Sequence, residues 1–501
     1  MSTTEPSQQS SQPGPSTSNR TPRGAACMNC RRRKLKCDTA KPVCGQCART
    51  NRHDECEYMD GSSASRTQDL ETNLTRLQGR IQELEQQGGT TETTSNLPPM
   101  FPANPPSTPS DDPPTELAQT LLQHFLPHAD QVGFFLHKQR FIALATSPDA
   151  RYRAANLSRA LLYAVYSYGA HLSCIEALTA HVPALLNRAV EAVSADLGGP
   201  RRYPLTQTIQ AEVILANYFF CVGRQLEGRY HCSAAVALVL SAQLHKIRSL
   251  STSDSHSPLA QPFDRIEEGQ NINAFWTVFA IDKGWCVASG SPSQLDGSTI
   301  DTPWPLDMEE YDQLGLAPEV RGSQTAHKFL HDLPSTSTGG TSFLALRVKA
   351  AALCERATRL ATGVPQLPGQ QHGARAEEVQ LLTRVIDQFM ASLPMINSLL
   401  DTRSMCHLLA IHTQTHAAMI LLYRSTGQAT GTIPERCVNA AKAAAALVGQ
   451  VNLQQLDYVD PILAPLWTIV VRILIGTWPL LRGMHVSTTG SAQRGSSRRA
   501  C

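Results

Sequence analysis

Six cysteines lie within thirty residues near the start of this 501-residue chain, and their spacing limits the fold more than any other feature. They form the pattern C-x2-C-x6-C-x6-C-x2-C-x8-C, whose members are Cys27, Cys30, Cys37, Cys44, Cys47 and Cys56. The polar residues 1–24 contain no apolar segment typical of a secretory signal, which favours a reducing compartment with free or metal-bound cysteines. A structural zinc takes four ligands, so six thiolates suffice for two zinc ions if two of them bridge. The sequence therefore predicts a cluster of two structural zinc ions.

Basic residues crowd the same segment, although the whole chain has a formal net charge of only +2. Residues 23–58 contain nine basic and four acidic side chains, a balance of +5. If all six cysteines bind zinc as thiolates, the two zinc ions and six thiolates together are negatively charged and lower this balance to about +3. The remaining positive charge predicts a polyanionic partner, and double-stranded DNA is the natural one.

The segment CMNCRRRKLKCDTAKPVCGQCARTNRHDEC resembles the fungal Zn2Cys6 binuclear-cluster family of transcription regulators. The cysteine spacing, the basic run, the Lys-Cys-Asp at 36–38 and the proline two residues before the fourth cysteine carry the resemblance. In that family the first and fourth cysteines bridge the two metals. The resemblance implies two ligand sets, Cys27, Cys30, Cys37 and Cys44 for one zinc ion and Cys27, Cys44, Cys47 and Cys56 for the other. The x8 spacing before Cys56 is at the long end for the family.

Residues 30–36 are expected to start a short helix, which in this family enters the major groove. By the resemblance, Arg33 and Lys34 read base edges, and guanine presents the acceptors that Arg and Lys prefer, so a CGG-like triplet is expected. The other basic residues are expected to contact phosphates, namely Arg31, Arg32, Lys36 and Lys41. An alternative remains in which all of them contact phosphates, or in which RRRKLK is a nuclear import signal.

A heptad pattern follows within residues 67–88. Its apolar positions recur at spacings of four and three, and they are Leu70, Leu74, Leu77, Ile81 and Leu84. This a/d seam predicts a parallel coiled coil and hence a homodimer. An amphipathic helix packed on its own domain is the alternative, but the low-complexity flanks offer no core for it. About three heptads are marginal alone, so further dimer contacts are expected elsewhere.

The remainder is predicted to be helical. Nine apolar segments of helical periodicity run from TELAQTLLQHFL at residue 115 to LAPLWTIVVRILIG at residue 463, with loops expected at 249–264 and 323–342. The stretches beginning FCVGRQLEGRYHC and NAFWTVFAIDKGWC resemble the fungal-specific transcription factor (middle homology) domain. That resemblance implies a regulatory domain and a small-molecule effector, for which the sequence names no ligand residue.

No catalytic motif stands out in this region. His412 and His416 occur as HTQTH, without the glutamate that follows the first histidine of a zinc protease, and Cys286 has no identifiable base. The apolar residues 462–481 contain Arg472 and two prolines, which favours a core helix over a membrane span. We therefore expect neither an enzyme nor a membrane protein.

The predicted fold class is mainly α, with a small zinc-cluster domain, a short coiled coil and a large all-helical regulatory domain. The predicted boundaries are 1–24 disordered, 25–58 Zn2Cys6 domain, 59–66 linker, 67–88 coiled coil, 89–114 Pro/Ser/Thr linker, 115–485 regulatory domain and 486–501 disordered tail. The predicted function is that of a nuclear, zinc-dependent, sequence-specific regulator of RNA polymerase II transcription, acting with the transcription machinery on genes of a metabolic or secondary-metabolite pathway. The alternative is a zinc-folded interaction cofactor that reads no bases.

Overall fold

The computed structural model of the chain describes residues 26–53, 56, 58, 75, 112–198, 203–250, 262–317, 320–331, 339–362, 372–397, 399–430, 432–453 and 456–477. The chain divides into two compact units, residues 1–108 and residues 109–501. In the first unit the description covers the cysteine-rich segment, called here the cassette (residues 26–58). The second unit is called here the helical domain. The coiled-coil positions Leu70, Leu74, Leu77, Ile81 and Leu84 lie outside the described residues, as do the predicted disordered termini and most of both linkers.

The cassette consists of two similar halves, each built on one C-x2-C pair. Helix α1 is Met28–Arg32 and helix α2 is Gly45–Arg49. Each helix begins directly after a cysteine whose Sγ atom accepts the backbone N–H three residues later, which satisfies one of the unpaired donors at a helix N-terminus. The two C-x2-C pairs are 17 residues apart in the chain. The repeated C-x2-C therefore codes for a repeated capped helix.

The basic helix is shorter than predicted, and it begins earlier. Helix α1 starts at Met28 and ends at Arg32, so the expectation of a helix over 30–36 is wrong. Lys34 has a left-handed backbone with φ of 53°, and the N–H of Leu35 bonds back to the carbonyl of Cys30 at 2.9 Å. This turn ends the helix and directs the chain to Cys37.

The helical domain is built from α-helices, and its described residues contain no strand beyond one isolated bridge between Ser249 and Gly322. This confirms the mainly α fold class. Helices α3 to α10 are Thr115–Phe125, Lys138–Ala145, Ala150–Asn156, Arg159–Leu172, Glu176–Thr179, Val182–Gly198, Leu205–Cys221 and Gln225–Ser241. Helices α11 to α18 are Arg265–Ser289, Met308–Gln313, Thr325–His331, Phe343–Thr362, His372–Ser392, Thr402–Thr430, Glu435–Gln450 and residues 463–477.

Helix α11 lies at the centre of the helical domain. Asp264 caps its start by accepting the N–H of Glu267 at 2.8 Å, and Gly290 ends it in the left-handed region. Trp276, near the middle, is fully buried, and its indole N–H donates to the carbonyl of Pro303 at 2.6 Å. Its ring also stacks on Trp304 with centroids 4.8 Å apart, so one aromatic pair fixes the loop after α11 against the core.

All nine predicted helical segments are helical, but the sequence pattern missed several others. The 20-residue helix α14 is one of them, and α13 lies inside the segment 323–342 that was predicted to be a loop. Helix α18 buries one face, while Arg472 is exposed on the other, so it is amphipathic rather than buried on all sides. Among the described residues, no helix has the length and apolar character needed to cross a membrane.

Candidate metal centre and nucleic-acid interface

The six cysteine sulfurs of the cassette lie together. The Sγ–Sγ distances are 3.8 Å for Cys27–Cys44, 3.8 Å for Cys27–Cys47 and 3.7 Å for Cys30–Cys44. In a tetrahedron with Zn–S bonds of about 2.3 Å, neighbouring sulfurs are about 3.8 Å apart. Two groups of four sulfurs have all members within 4.8 Å of one another: Cys27, Cys30, Cys37 and Cys44; and Cys27, Cys44, Cys47 and Cys56. The donor set and its spacing therefore fit two tetrahedral zinc ions.

Burial explains why these sulfurs need a metal. All six cysteines are buried, and burial raises the pKa of the Cys30 thiol to about 12. Burial acts in the same direction on Cys44, but hydrogen bonds from the Cys47 N–H and from neighbouring thiols outweigh it and lower the pKa of Cys44 to about 6. Thiolates packed this closely repel one another, and a divalent cation removes that penalty.

One hydrogen bond joins the halves at the sulfur cluster, and another lies within the second half. The Nδ2 group of Asn29 donates to the Sγ atom of Cys47 at 3.4 Å, and the N–H of Cys44 donates to the Sγ atom of Cys56 at 3.2 Å. Asn29 is buried although it is polar. The sequence did not indicate a role for Asn29, because the two x positions of a C-x2-C pattern carry no ligand signal.

The loop between the halves is held by a carboxylate. Both oxygens of Asp38 accept the N–H of Gly45, at 3.1 and 3.0 Å, at the start of helix α2. A carboxylate here also interacts favourably with the helix dipole. A Cβ atom on Gly45 would lie 2.6 Å from the Oδ2 atom of Asp38, so any larger residue here would displace the carboxylate. The Lys-Cys-Asp match had marked Asp38, but only the structure gives its contact.

Tyr58 closes the other side of the loop, and the sequence had not indicated it. Its hydroxyl donates to the carbonyl of Ala40 at 2.9 Å and lies 3.8 Å from the Sγ atom of Cys37. The Nζ atom of Lys41 lies 5.5 Å from the centre of its ring. Tyr58 therefore ties the residues after the last cysteine to the loop that carries Lys41.

All six predicted DNA-contacting residues are exposed: Arg31, Arg32, Arg33, Lys34, Lys36 and Lys41. Arg33 follows the last residue of helix α1, and Lys34 occupies the left-handed turn after it. Neither has an ion-pair partner among the residues that the structure describes. The end of a metal-anchored helix thus presents two uncompensated cations to solvent, which suits contact with a polyanion.

The described part of the helical domain offers no comparable centre. Among the described residues, the two cysteine groups of the cassette are the only clusters that could hold a metal ion. The Nε2 atom of His412 lies 2.9 Å from the carbonyl of Pro394 and is taken up by that backbone contact. The Cys286 thiol donates to the carbonyl of Lys283, and burial raises its pKa to about 12, which opposes nucleophilic character.

Comparison with known proteins agrees with this geometry. Residues 25–65 match the family description "Fungal Zn(2)-Cys(6) binuclear cluster domain", and residues 122–349 match "Fungal specific transcription factor domain". No solved structure matches the chain.

Similar curated proteins come from fungi. The chain is 56% identical over 36 residues to chromatin structure-remodeling complex protein RSC30 of Saccharomyces cerevisiae, and 43% identical over 67 residues to the uncharacterized transcriptional regulatory protein YKL222C of the same organism. It is 42% identical over 72 residues to the abscisic acid cluster transcription factor abl7 of Leptosphaeria maculans. These alignments cover 7%, 12% and 14% of this chain and 4%, 9% and 11% of the relatives' own lengths. Two matched domains and a fitting donor set lead to one conclusion: the chain belongs to the fungal Zn2Cys6 binuclear-cluster family of transcription factors, and its cluster binds two zinc ions.

Proposed function

We propose that this chain is a sequence-specific DNA-binding regulator of RNA polymerase II transcription that reads CGG-type triplets. The observation that carries the proposal is the placement of Arg33 and Lys34, exposed and without an ion-pair partner in the described residues, at the end of a helix capped by a zinc-ligand cysteine. Guanine O6 and N7 accept from such side chains. Arg31, Arg32, Lys36 and Lys41 are assigned to phosphates.

In this proposal the metals hold the reading helix in place. Cys27 and Cys44 belong to both four-sulfur groups, and we assign them as the bridging ligands. The chain of the first half runs from Cys30 through Lys34 to Cys37, so the two metal-bound ends fix the position of the basic turn. Without zinc the cassette loses its folding energy and with it the DNA contacts.

The proposal includes a nuclear homodimer joined by the seam at residues 67–88, two copies of the cassette and two triplets in the operator. Contact with the transcription machinery and control of a metabolic or secondary-metabolite pathway belong to it as well. The name of the relative abl7, an abscisic acid cluster transcription factor, supports a pathway of that kind. A small-molecule effector of the helical domain completes the proposal, and catalysis has no part in it.

A DNA selection tests the proposal directly. The full-length chain is loaded with zinc, and a random duplex library is selected with it, with and without a chelator. We expect paired CGG-like triplets at one spacing, lost on chelation. Arg33→Ala with Lys34→Ala should abolish the sequence preference. Arg49→Ala is the control, because Arg49 is an exposed basic residue at the end of helix α2, the other helix of the cassette.

Other results of the selection have definite meanings. A single CGG triplet would keep the DNA reader and remove the proposed dimer. Zinc bound at two ions per chain without any enriched sequence would refute base reading. It would favour the interaction cofactor. The name of the relative RSC30, a chromatin structure-remodeling complex protein, gives an example of a role within a protein complex.

A further inference from the structure

The helical domain contains a cavity of about 450 Å³. It lies between helices α11, α12, α14 and α16 and the segment 130–139. Its apolar walls include Phe134, Ile281, Met308 and Phe343. The volume falls in the range of small-molecule sites, about 300–1,000 Å³.

An unsatisfied acceptor lines this cavity. Asn273, on helix α11, is only 5% exposed, and its Nδ2 group donates to the carbonyl of Leu306 at 3.2 Å. Its Oδ1 atom is buried and has no hydrogen-bond partner among the described residues. Buried polar atoms are nearly always paired, so this oxygen points to a donor supplied by a bound molecule.

Three acidic residues that follow Leu306 in the chain also line the cavity. Asp307 directly follows Leu306, and Glu309 and Asp312 lie on helix α12, which begins after Asp307. The Nε2 atom of His137 lies 3.8 Å from the Oδ2 atom of Asp312, and Lys138 interacts electrostatically with Glu309. Asp307 has no hydrogen-bond or ion-pair partner in the described part of the chain. The unpaired oxygen of Asn273 and the carboxylate of Asp307, which directly follows the residue that Asn273 binds, suit an ammonium group.

Basic residues also line the cavity. Lys138 and Arg403 both pair with Asp130, and Arg347 pairs with Asp460. His407 lies between Phe343, on which its ring stacks with centroids 5.2 Å apart, and these arginines. Burial and the charges of Arg347 and Arg403 lower the pKa of His407 to about 4, so its ring is neutral and can donate one hydrogen bond. Arg403 and the neutral ring of His407 together suit a carboxylate.

We propose that the cavity binds a small zwitterion of the amino-acid class, with its ammonium group at Asn273 and Asp307 and its carboxylate at Arg403. The apolar walls between the two ends receive the side chain of the ligand. Binding is a property of the helical domain alone, and only its effect on transcription rests on the proposed function. A negative DNA selection would therefore not contradict the ligand site, and a chain that binds no ligand would not contradict DNA reading.

Calorimetry tests the proposal. The 501-residue, zinc-loaded chain is titrated with each of the twenty proteinogenic amino acids. Each binder is compared with two matched probes, the acid that lacks its amino group and the amine that lacks its carboxylate. We expect saturable binding of at least one amino acid, and about tenfold weaker binding or none for each matched probe, because each loses one charged contact. No saturable binding in the series, or equal binding of acid and zwitterion, would overturn the proposal.

Variants assign the two ends of the site. Arg403→Met should weaken binding of the zwitterion about tenfold and leave the matched amine unchanged. Arg436→Met is the control, because Arg436 lies outside the cavity but otherwise resembles Arg403. The side chains of Arg403 and Arg436 are 50% and 52% exposed, and each pairs with an aspartate. Asn273→Leu should weaken binding of the zwitterion and leave binding of the matched acid unchanged. An unchanged affinity of folded Arg403→Met protein, as judged by its circular dichroism, would also refute the site.

Discussion

Asn29 belongs to the first C-x2-C pair of the cassette, yet its side chain hydrogen-bonds to the Sγ atom of Cys47 in the second pair, at 3.4 Å. The bond directs an N–H group at a sulfur of the metal centre and joins the two halves. Groups that bind metal ligands from the second layer usually contribute about 10–100-fold to metal affinity.

Asn29→Ala should therefore lower the zinc affinity of the chain about tenfold. Competition with a chromogenic chelator measures it. Met28→Ala is the control, because Met28 is the neighbouring helical residue and 45% exposed. Equal zinc retention in the two variants would show that the Asn29 contact has no influence on the metal.

Asp38 and Gly45 should behave as a coupled pair. Asp38→Ala removes two hydrogen bonds to the N–H of Gly45, and the lost cap should cost about 1 kcal/mol, or about fivefold in zinc retention. Gly45→Ala should cost a similar amount, because its Cβ atom would displace the carboxylate. The double variant should be no worse than either single one. Additive losses in the chelator competition would contradict the coupling.

Two glycines of the helical domain should respond oppositely to alanine. A Cβ atom on Gly169 would lie 2.2 Å from the carbonyl oxygen of Leu121 in helix α3, so Gly169→Ala should destabilise the domain by about 1–3 kcal/mol. Gly198 has nothing within 4 Å, and Gly198→Ala should stabilise its helix end by up to about 1 kcal/mol. Urea unfolding followed by tryptophan fluorescence measures both, since all five tryptophans lie beyond residue 270. A neutral Gly169→Ala variant would contradict the close contact of α3 and α6.

Acid should destabilise the helical domain through buried histidines. Burial and the neighbouring His412 lower the pKa of His416 from 6.5 to about 4. The unfolded chain therefore binds the proton more readily, and stability should fall as the pH drops from about 6.5 towards 4. The loss between pH 7 and pH 5 is up to about 2 kcal/mol for this histidine.

Urea unfolding at pH 7, 6 and 5 measures this dependence. His416→Gln should reduce the loss of stability on acidification, whereas His181→Gln, at an exposed histidine, should leave it as in the natural chain. An unchanged pH slope in His416→Gln would exclude His416 as the titrating group. His407 has the same direction of shift, so part of the slope should remain.

The cysteine spacing was enough to predict the cassette, because metal ligands must recur at fixed intervals. The extent of its basic helix was not predictable in the same way. The run RRRKLK has good helix propensity, but closure of the turn onto Cys30 requires a left-handed Lys34. A tertiary requirement thus overrides local propensity at this residue.

Helix α14 shows a second limit of the sequence pattern. Lys349 and Glu355 interrupt its apolar periodicity, although both side chains are buried. Their partners come from elsewhere: the carbonyls of Gly339 and Gly340 for Lys349, and Lys283 for Glu355. A charged residue looks like a surface position until its partner is known, so the pattern alone could not identify this helix.

The cavity was likewise invisible in the sequence. Its acidic and basic ends are more than 90 residues apart along the chain, as Asp307 and Arg403 show. Neither end forms a motif. Only the tertiary arrangement of α11, α12, α14 and α16 brings them to one cavity.

The sulfur atoms of Cys27 and Cys44 each have two roles. Each belongs to both four-sulfur groups, and each caps a helix. Alkylation or oxidation of either single thiol would thus remove a ligand from both metal positions and uncap one helix at the same time. Damage to Cys37 or Cys56 would affect one metal position only. The response of the cassette to thiol-reactive stress should accordingly be graded by residue, with total loss at the two shared sulfurs and partial loss at the outer ones.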